Sequence, residues 1–196
     1  MITTSKFYKH RGASLGLLLV CWCAAASGDD ASDAIVDSMA TTASTGAVGA
    51  SNIGLVMADR VVVRKSERRL DLMRAGRVLR SFRIALGLRP SGHKEREGDY
   101  RTPEGSYRLI RRNPRSDFFL SMEVSYPNAQ DVAHAQSMRA KPGGAIMIHG
   151  WPNTPRKSAE YYANADWTDG CIAVKNSDMV EIWLSTPLDT PIDILP

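Results

Sequence analysis

The stretch Ile146-Met147-Ile148-His149-Gly150, answered further on by Asp166-Trp167-Thr168-Asp169-Gly170-Cys171-Ile172-Ala173-Val174, decides how this chain is read. Each half is a short apolar run bounded by glycine and polar residues, the pattern of a buried strand. Each also places a chemically active side chain at the strand's end. Cys171 is the only cysteine outside the N-terminal stretch that holds Cys21 and Cys23. A leftover thiol is inert in a core, paired with another chain, or reactive. A thiol that follows a glycine in a polar run, with a histidine upstream at a strand end, suggests nucleophilic catalysis.

Outward from these two runs the periodicity is mostly that of strands. Val61-Val62-Val63 is β-branched, Leu70 and Leu72 alternate with polar residues, and Ala75-Gly76 makes a turn before Phe82, Ile84 and Leu86 alternate again. Leu88 to Gly105 is a long Gly/Pro/charged connection of the kind that carries function. Tyr107–Ile110 and Phe118–Val124 read as strands. Asn128 is placed to cap a helix over Ala129–Ala140, with Val132, Ala135 and Met138 on one side. A strand is expected at Ala145–Ile148, a loop or broken helix over Trp151–Asp166, and another strand at Cys171–Val174. Asn176 is expected to cap a helix through Leu184, with Met179, Ile182 and Trp183 inward, before a last strand at Pro191–Leu195. The expected fold is mainly β with a few short helices, as a β-sandwich or partly closed barrel.

The N-terminus sets the compartment. Lys6, Lys9 and Arg11 precede an apolar run from Ala13 to Ala26 that ends in three alanines. This is the pattern of a cleaved signal peptide over residues 1–26, and the run is about half the ~20 residues a spanning helix needs. Val20 and Trp22 fit badly with a lipid attached to either early cysteine. Residues 27–58, rich in Ala, Ser, Thr and Gly, read as a flexible linker. Residues 59–196 make one domain of ordinary size. The expectation is an exported protein of the periplasm or cell-wall space, with no stable membrane insertion after cleavage. With almost no cysteine left, an apolar core must hold the fold.

The formal net charge of +4 includes three positive residues of the signal, so the mature chain is near neutral. Arg60 to Arg115 holds 17 Lys/Arg against 6 Asp/Glu, and Ser116 onward holds 5 against 10. Either the basic half meets an anionic polymer or surface, or the two halves neutralise each other within the fold. No basic motif interleaved with aromatics supports nucleic acid. No His-Glu-x-x-His or ligand-spaced cluster supports a metal, and no cofactor is expected.

His149-Gly150 followed by Thr168-Asp169-Gly170-Cys171-Ile172 resembles the signature of the L,D-transpeptidase catalytic domain, the YkuD-like family. Val61 to Ser66, Glu97-Gly98-Asp99, Thr102-Pro103-Glu104-Gly105 and Thr190-Pro191-Ile192 share the resemblance, which covers residues 59–196. It implies that Cys171 attacks the carbonyl joining the third residue of a peptidoglycan stem peptide to D-alanine. A thioester forms, D-alanine leaves, and an amine of a neighbouring stem peptide, or water, takes the acyl group. It implies that a backbone carbonyl around Thr168 to Gly170 orients His149, that Thr102-Pro103-Glu104-Gly105 frames the cleft, and that carbapenems acylate the thiol.

The residues themselves agree with such chemistry. A free thiol with pKa ~8.5 is only a few per cent thiolate at pH 7, so His149 serves as general base and then as acid to the departing amine. Gly170 gives the chain room to turn the Cys171 N–H toward a developing oxyanion. One departure stands out: many members carry Arg two places after the nucleophile, and here that residue is Ala173. The candidates for substrate carboxylates are then Arg101, Arg139 and Lys175. His93, Tyr126, Trp167 and Thr168 are further candidate substrate contacts, each with a structural reading beside it. Two other functions stay open at this point: a hydrolase using the same Cys–His pair, and a non-catalytic cell-wall-binding module.

Overall fold

The computed structural model describes residues 56–196. The expected signal peptide and all but the end of the expected linker lie outside the described residues. Ala58, read as the last linker residue, belongs to the domain: it is buried, and its N–H donates to the Ser185 carbonyl at 2.7 Å.

Strands β1 (Arg60–Arg64), β2 (Arg69–Arg74) and β3 (Arg77–Arg83) form the expected meander. Ala75 and Gly76, both at positive φ, make the tight turn between β2 and β3. The long strand β4 (Gly105–Ser116) and β5 (Phe119–Val124) form a hairpin. Helix α1 (Ala129–Ser137), strand β6 (Met147–His149), helix α2 (Ala159–Asn164), strand β7 (Ile172–Ala173), helix α3 (Asn176–Ser185) and strand β8 (Pro191–Leu195) complete the domain. They build one eight-stranded sheet in the order β3-β2-β1-β8-β4-β5-β6-β7. The mainly β expectation holds, with three short helices. The sheet is not closed into a barrel: past β3, Ala85 and Gly87 make two isolated bridges, to Ala173 and Thr168, rather than a ladder.

The core draws on every layer. Val61, Val63, Leu70, Leu72, Leu109, Ile148, Ile172, Met179, Ile182 and Ile192 are completely buried. Helix α3 lays Met179 and Ile182 over this core and packs against β5. Its C-terminal carbonyls have a cationic partner: Arg112 of β4 donates Nη2 to the Trp183 and Thr186 carbonyls at 2.8 and 2.6 Å, with its guanidinium over the Trp183 ring.

Three local expectations change. Strand β4 runs on well past Ile110, because Arg111, Arg112, Asn113 and Ser116 continue the pairing with β5. Helix α1 stops at Ser137 and leaves Met138 exposed, although Asn128 caps it as expected, in a capping box with Asp131. Asn176 does not cap α3. Lys175 is the N-cap residue without a side-chain cap bond, and Asn176 Oδ1 instead accepts from the Trp151 N–H at 2.7 Å.

Of the two readings of the charge imbalance, the structure favours internal neutralisation. Arg60 pairs with Asp193, Arg68 with Asp166 and Arg80 with Glu181, each joining the basic half to the acidic one.

Candidate active site

Strands β6 and β7 are parallel, with Ile148 beside Ile172 and His149 beside Ala173. Cys171 precedes Ala173 by two residues, so strand alternation places it on the His149 side of the sheet. Both residues line one cavity of about 500 Å³, together with Phe118, Trp167, Tyr161 and Tyr162.

The turn that carries the thiol is held by backbone contacts. Thr168 Oγ1 accepts from the Gly170 N–H at 3.1 Å and donates to the Cys171 carbonyl at 2.8 Å. Thr168 also exchanges backbone bonds with Leu86 and Leu88, at 3.1 and 2.9 Å. Gly170 sits at φ +131°, and a Cβ there would lie 2.6 Å from the Arg101 carbonyl oxygen. Only glycine meets both demands. Asp166 anchors the turn's start: it takes Arg68 on both oxygens and the Leu86 N–H at 2.9 Å.

His149 is 4% exposed, with Phe118 at 4.7 Å and Trp167 at 5.6 Å between ring centroids. Its Nδ1 lies 2.7 Å from the Gly150 carbonyl oxygen. A carbonyl only accepts, so Nδ1 carries the proton and Nε2 holds a free lone pair. The orienting carbonyl is therefore the next residue's own, not one from Thr168 to Gly170 as the resemblance implied. Gly150 is required there by packing, since a Cβ would meet Asn176 Oδ1 at 2.5 Å.

Burial sets the protonation states of the pair. It removes the water that would solvate an imidazolium and pushes His149 from 6.5 down to about 4, against a smaller opposing pull from the Gly150 carbonyl. Burial also raises the Cys171 thiol. The Met147 backbone hydrogen bond opposes this, the Asp169 charge adds to it, and Lys94 opposes it. The thiol donates to the Ala145 carbonyl at 3.6 Å. Both shifts favour thiol and neutral imidazole over thiolate and imidazolium in the resting pair.

A stability effect follows. Above pH 6.5, His149 is neutral folded and unfolded. As pH falls from 6.5 toward 4, the unfolded chain takes up a proton that the folded chain refuses, and stability declines by about 3 kcal/mol. Below pH 4 both states are protonated and the loss levels off. Urea unfolding at pH 7.5 and pH 4 should show the parent losing about 3 kcal/mol more than His149→Gln. Equal losses would contradict the burial argument.

The other candidates divide clearly. Trp167 lines the cavity, with its Nε1–H on the Tyr162 carbonyl at 3.3 Å. Thr168 also lines it, but its hydroxyl is committed to the turn. The remaining five lie outside the cavity lining. His93 is held between the Glu104 N–H and Asp131, at 3.0 and 3.1 Å. Arg101 pairs with Glu95 at 3.0 Å and offers the turn only its backbone carbonyl. Tyr126 is a core residue, donating to the Pro142 carbonyl at 2.9 Å. Arg139 is exposed just beyond α1, and Lys175 is exposed at the start of α3. The loop over residues 88–104 acts from behind. Its Tyr100 and Arg101 carbonyls press on Gly87 and Gly170, and Thr102 Oγ1 accepts from the Gly87 N–H at 3.2 Å.

Sequence reasoning missed Phe118, Arg156, Lys157, Tyr161 and Tyr162. Phe118 sits at the tip of the β4–β5 hairpin, and the only local signal was an aromatic pair beside a turn. The other four come from the segment read only as a loop or broken helix. Among the described residues there is no group of three or more His, Cys, Asp or Glu suited to a metal, and no helix is long and apolar enough to cross a membrane.

Comparison with known proteins gives a consistent set of likenesses. The family model for the L,D-transpeptidase catalytic domain, YkuD, matches residues 58–194. YafK of Escherichia coli K12, named provisionally as an L,D-transpeptidase, is 36% identical over 92 residues, which are 44% of this chain and 35% of YafK. The crystal structure of the helical cell shape determining protein Pgp2 from Campylobacter jejuni aligns with a TM-score of 0.54 and 27% identity, covering 69% of this chain and 46% of Pgp2. The chain thus spans between a third and a half of these two relatives.

Proposed function

Because the chain belongs to the L,D-transpeptidase catalytic-domain family, we propose that it is an exported acyltransferase of peptidoglycan stem peptides, with Cys171 as nucleophile and His149 as its base. The observation that carries this reading is the fixed tautomer of His149. With Nδ1–H on the Gly150 carbonyl, Nε2 is the ring nitrogen left to accept a proton, and His149 lines the same cavity as Cys171.

The reaction begins from the neutral pair. Attack of Sγ on the carbonyl before D-alanine is concerted with transfer of the thiol proton to Nε2, which avoids a free thiolate in a buried site. The Cys171 N–H, beside Gly170, faces the developing oxyanion, a donor typically worth about 3 kcal/mol. Nε2 then returns the proton to the departing amine of D-alanine, leaving the thioester. An acceptor amine attacks the thioester with His149 again as base, and the thiol is regenerated. Water in the acceptor's place gives the hydrolytic outcome with the same groups.

Two measurements test this. Intact-mass analysis with a carbapenem is expected to show a single adduct, mapped to Cys171; no adduct at large excess would remove the nucleophile and favour a wall-binding module. Incubation with tetrapeptide muropeptides is expected to release D-alanine and form cross-linked dimers. Monomers lacking D-alanine, without dimers, would assign the hydrolase instead.

A further inference from the structure

The groove beside Cys171 is mostly apolar, walled by Phe118, Met147, Pro152, Tyr161, Tyr162 and Trp167. Its charged lining residues are three: Arg156, Lys157 and Asp169. The basic two are the cations that line this groove. Arg60, Arg68, Arg80 and Arg111 each have a carboxylate partner, whereas among the described residues neither Arg156 nor Lys157 is in an ion pair. They are also two of only five basic residues after Ser116.

The segment that presents them is anchored. Asn153 donates Nδ2 to the Ser116 carbonyl at 2.8 Å, and its Oδ1 accepts from the Phe119 N–H at 2.9 Å. The Arg156 N–H donates to the hydroxyl of buried Tyr162 at 3.1 Å. Ser158 caps α2 immediately after Lys157, whose ammonium lies 5.9 Å from the Tyr161 ring centre. The position two after the nucleophile cannot supply a cation. Ala173 is 1% exposed, and it exchanges two 2.8 Å backbone bonds with Ala85.

Arg156 and Lys157 are exposed and unpaired on an anchored segment, and two such cations at the edge of an apolar groove suit an anion that would otherwise be desolvated without a partner. We propose that Arg156 and Lys157 form a carboxylate-binding subsite that selects a donor peptide bearing a free carboxylate. This rests on the acyl-transfer reading of the same groove. Two carboxylates share that chemistry: the C-terminal one of the leaving residue, and one on a side chain upstream of the scissile bond.

The test uses the full chain and three tetrapeptide donors: unmodified, C-terminally amidated, and side-chain amidated. Binding is read by calorimetry in a Cys171→Ala background, and turnover in the parent background, each with and without Arg156→Gln/Lys157→Gln. The double variant is expected to weaken binding of the unmodified donor and raise its KM by about tenfold, with kcat changed less than about twofold. That penalty is expected to disappear for one amidated donor, which identifies the carboxylate held. An unchanged affinity, or a penalty equal for all three donors, overturns the subsite. A normal carbapenem adduct in the double variant keeps these results separate from the nucleophile assignment. Loss of that adduct in the parent would instead fail the acyl-transfer reading.

Discussion

Replacing Cys171 by alanine is expected to lower turnover of a tetrapeptide stem by about 10,000-fold or more, because no other group in the groove replaces the sulfur nucleophile. The fold should survive. Cys171 lies outside β7, its side chain meets only the backbone of Ala145, at 3.6 Å, and of Met147, and the turn is held by Thr168 and by backbone contacts. Thermal unfolding should move by no more than a few degrees, and stem-peptide binding should remain measurable. His149→Gln offers a graded comparison. It removes the base but keeps the thiol, so some carbapenem acylation should persist at high pH, where the thiolate forms without help. Turnover of Cys171→Ala within tenfold of the parent would end the nucleophile assignment.

Lys65→Met is expected to destabilise the domain by about 3 kcal/mol, because it breaks a buried ion pair from one side. Lys65 is 2% exposed, and its ammonium donates to the Gly92 and Thr102 carbonyls and to Glu104, at 2.6, 2.9 and 2.8 Å. Burial lowers its pKa, and the Glu104 hydrogen bond and charge only partly restore it. Truncation leaves two carbonyls and a carboxylate without their donor. Both carbonyls belong to the loop over residues 88–104, which bears on Gly87 and Gly170. The melting temperature should fall by about 10 °C, and amide exchange in that loop should speed up more than in β4 or β5. Removing the partner as well, with Glu104→Leu, should recover part of the loss. A fall of less than about 2 °C for Lys65→Met would show that the clamp adds little.

What the sequence revealed depends on the range of the interactions involved. Strand alternation, the Ala75-Gly76 turn and the Asn128 cap are local, and each appears where its residues indicated. Cys171, Gly170, Thr168 and Trp167 are neighbours in the chain, so finding one found the others. Arg101, Arg139 and Lys175 were chosen for charge alone, but charge does not fix direction. Arg101 turns to Glu95, and the other two are exposed away from the groove lining. Arg156 and Lys157 reach the groove only because Asn153 ties their segment to the β4–β5 hairpin, a contact 37 residues apart in one case and 34 in the other. The His149 partner was misplaced for the opposite reason. The shortest link, to the adjacent residue's carbonyl, replaced the longer one expected.

The two bridges from Ala85 and Gly87 have a consequence for self-association. A sheet that is not closed leaves a first and a last strand, whose unpaired amides can template another chain's strand. Here β7 is last in order, yet the Ala173 amide and carbonyl are already bonded to Ala85. At the other end, β3 sets Arg77, Arg80 and Arg83 along its length, where like charges discourage a second copy from adding on. The bond that completes the environment of the nucleophile's strand thus also shields one margin of the sheet from aggregation, and the arginines guard the other.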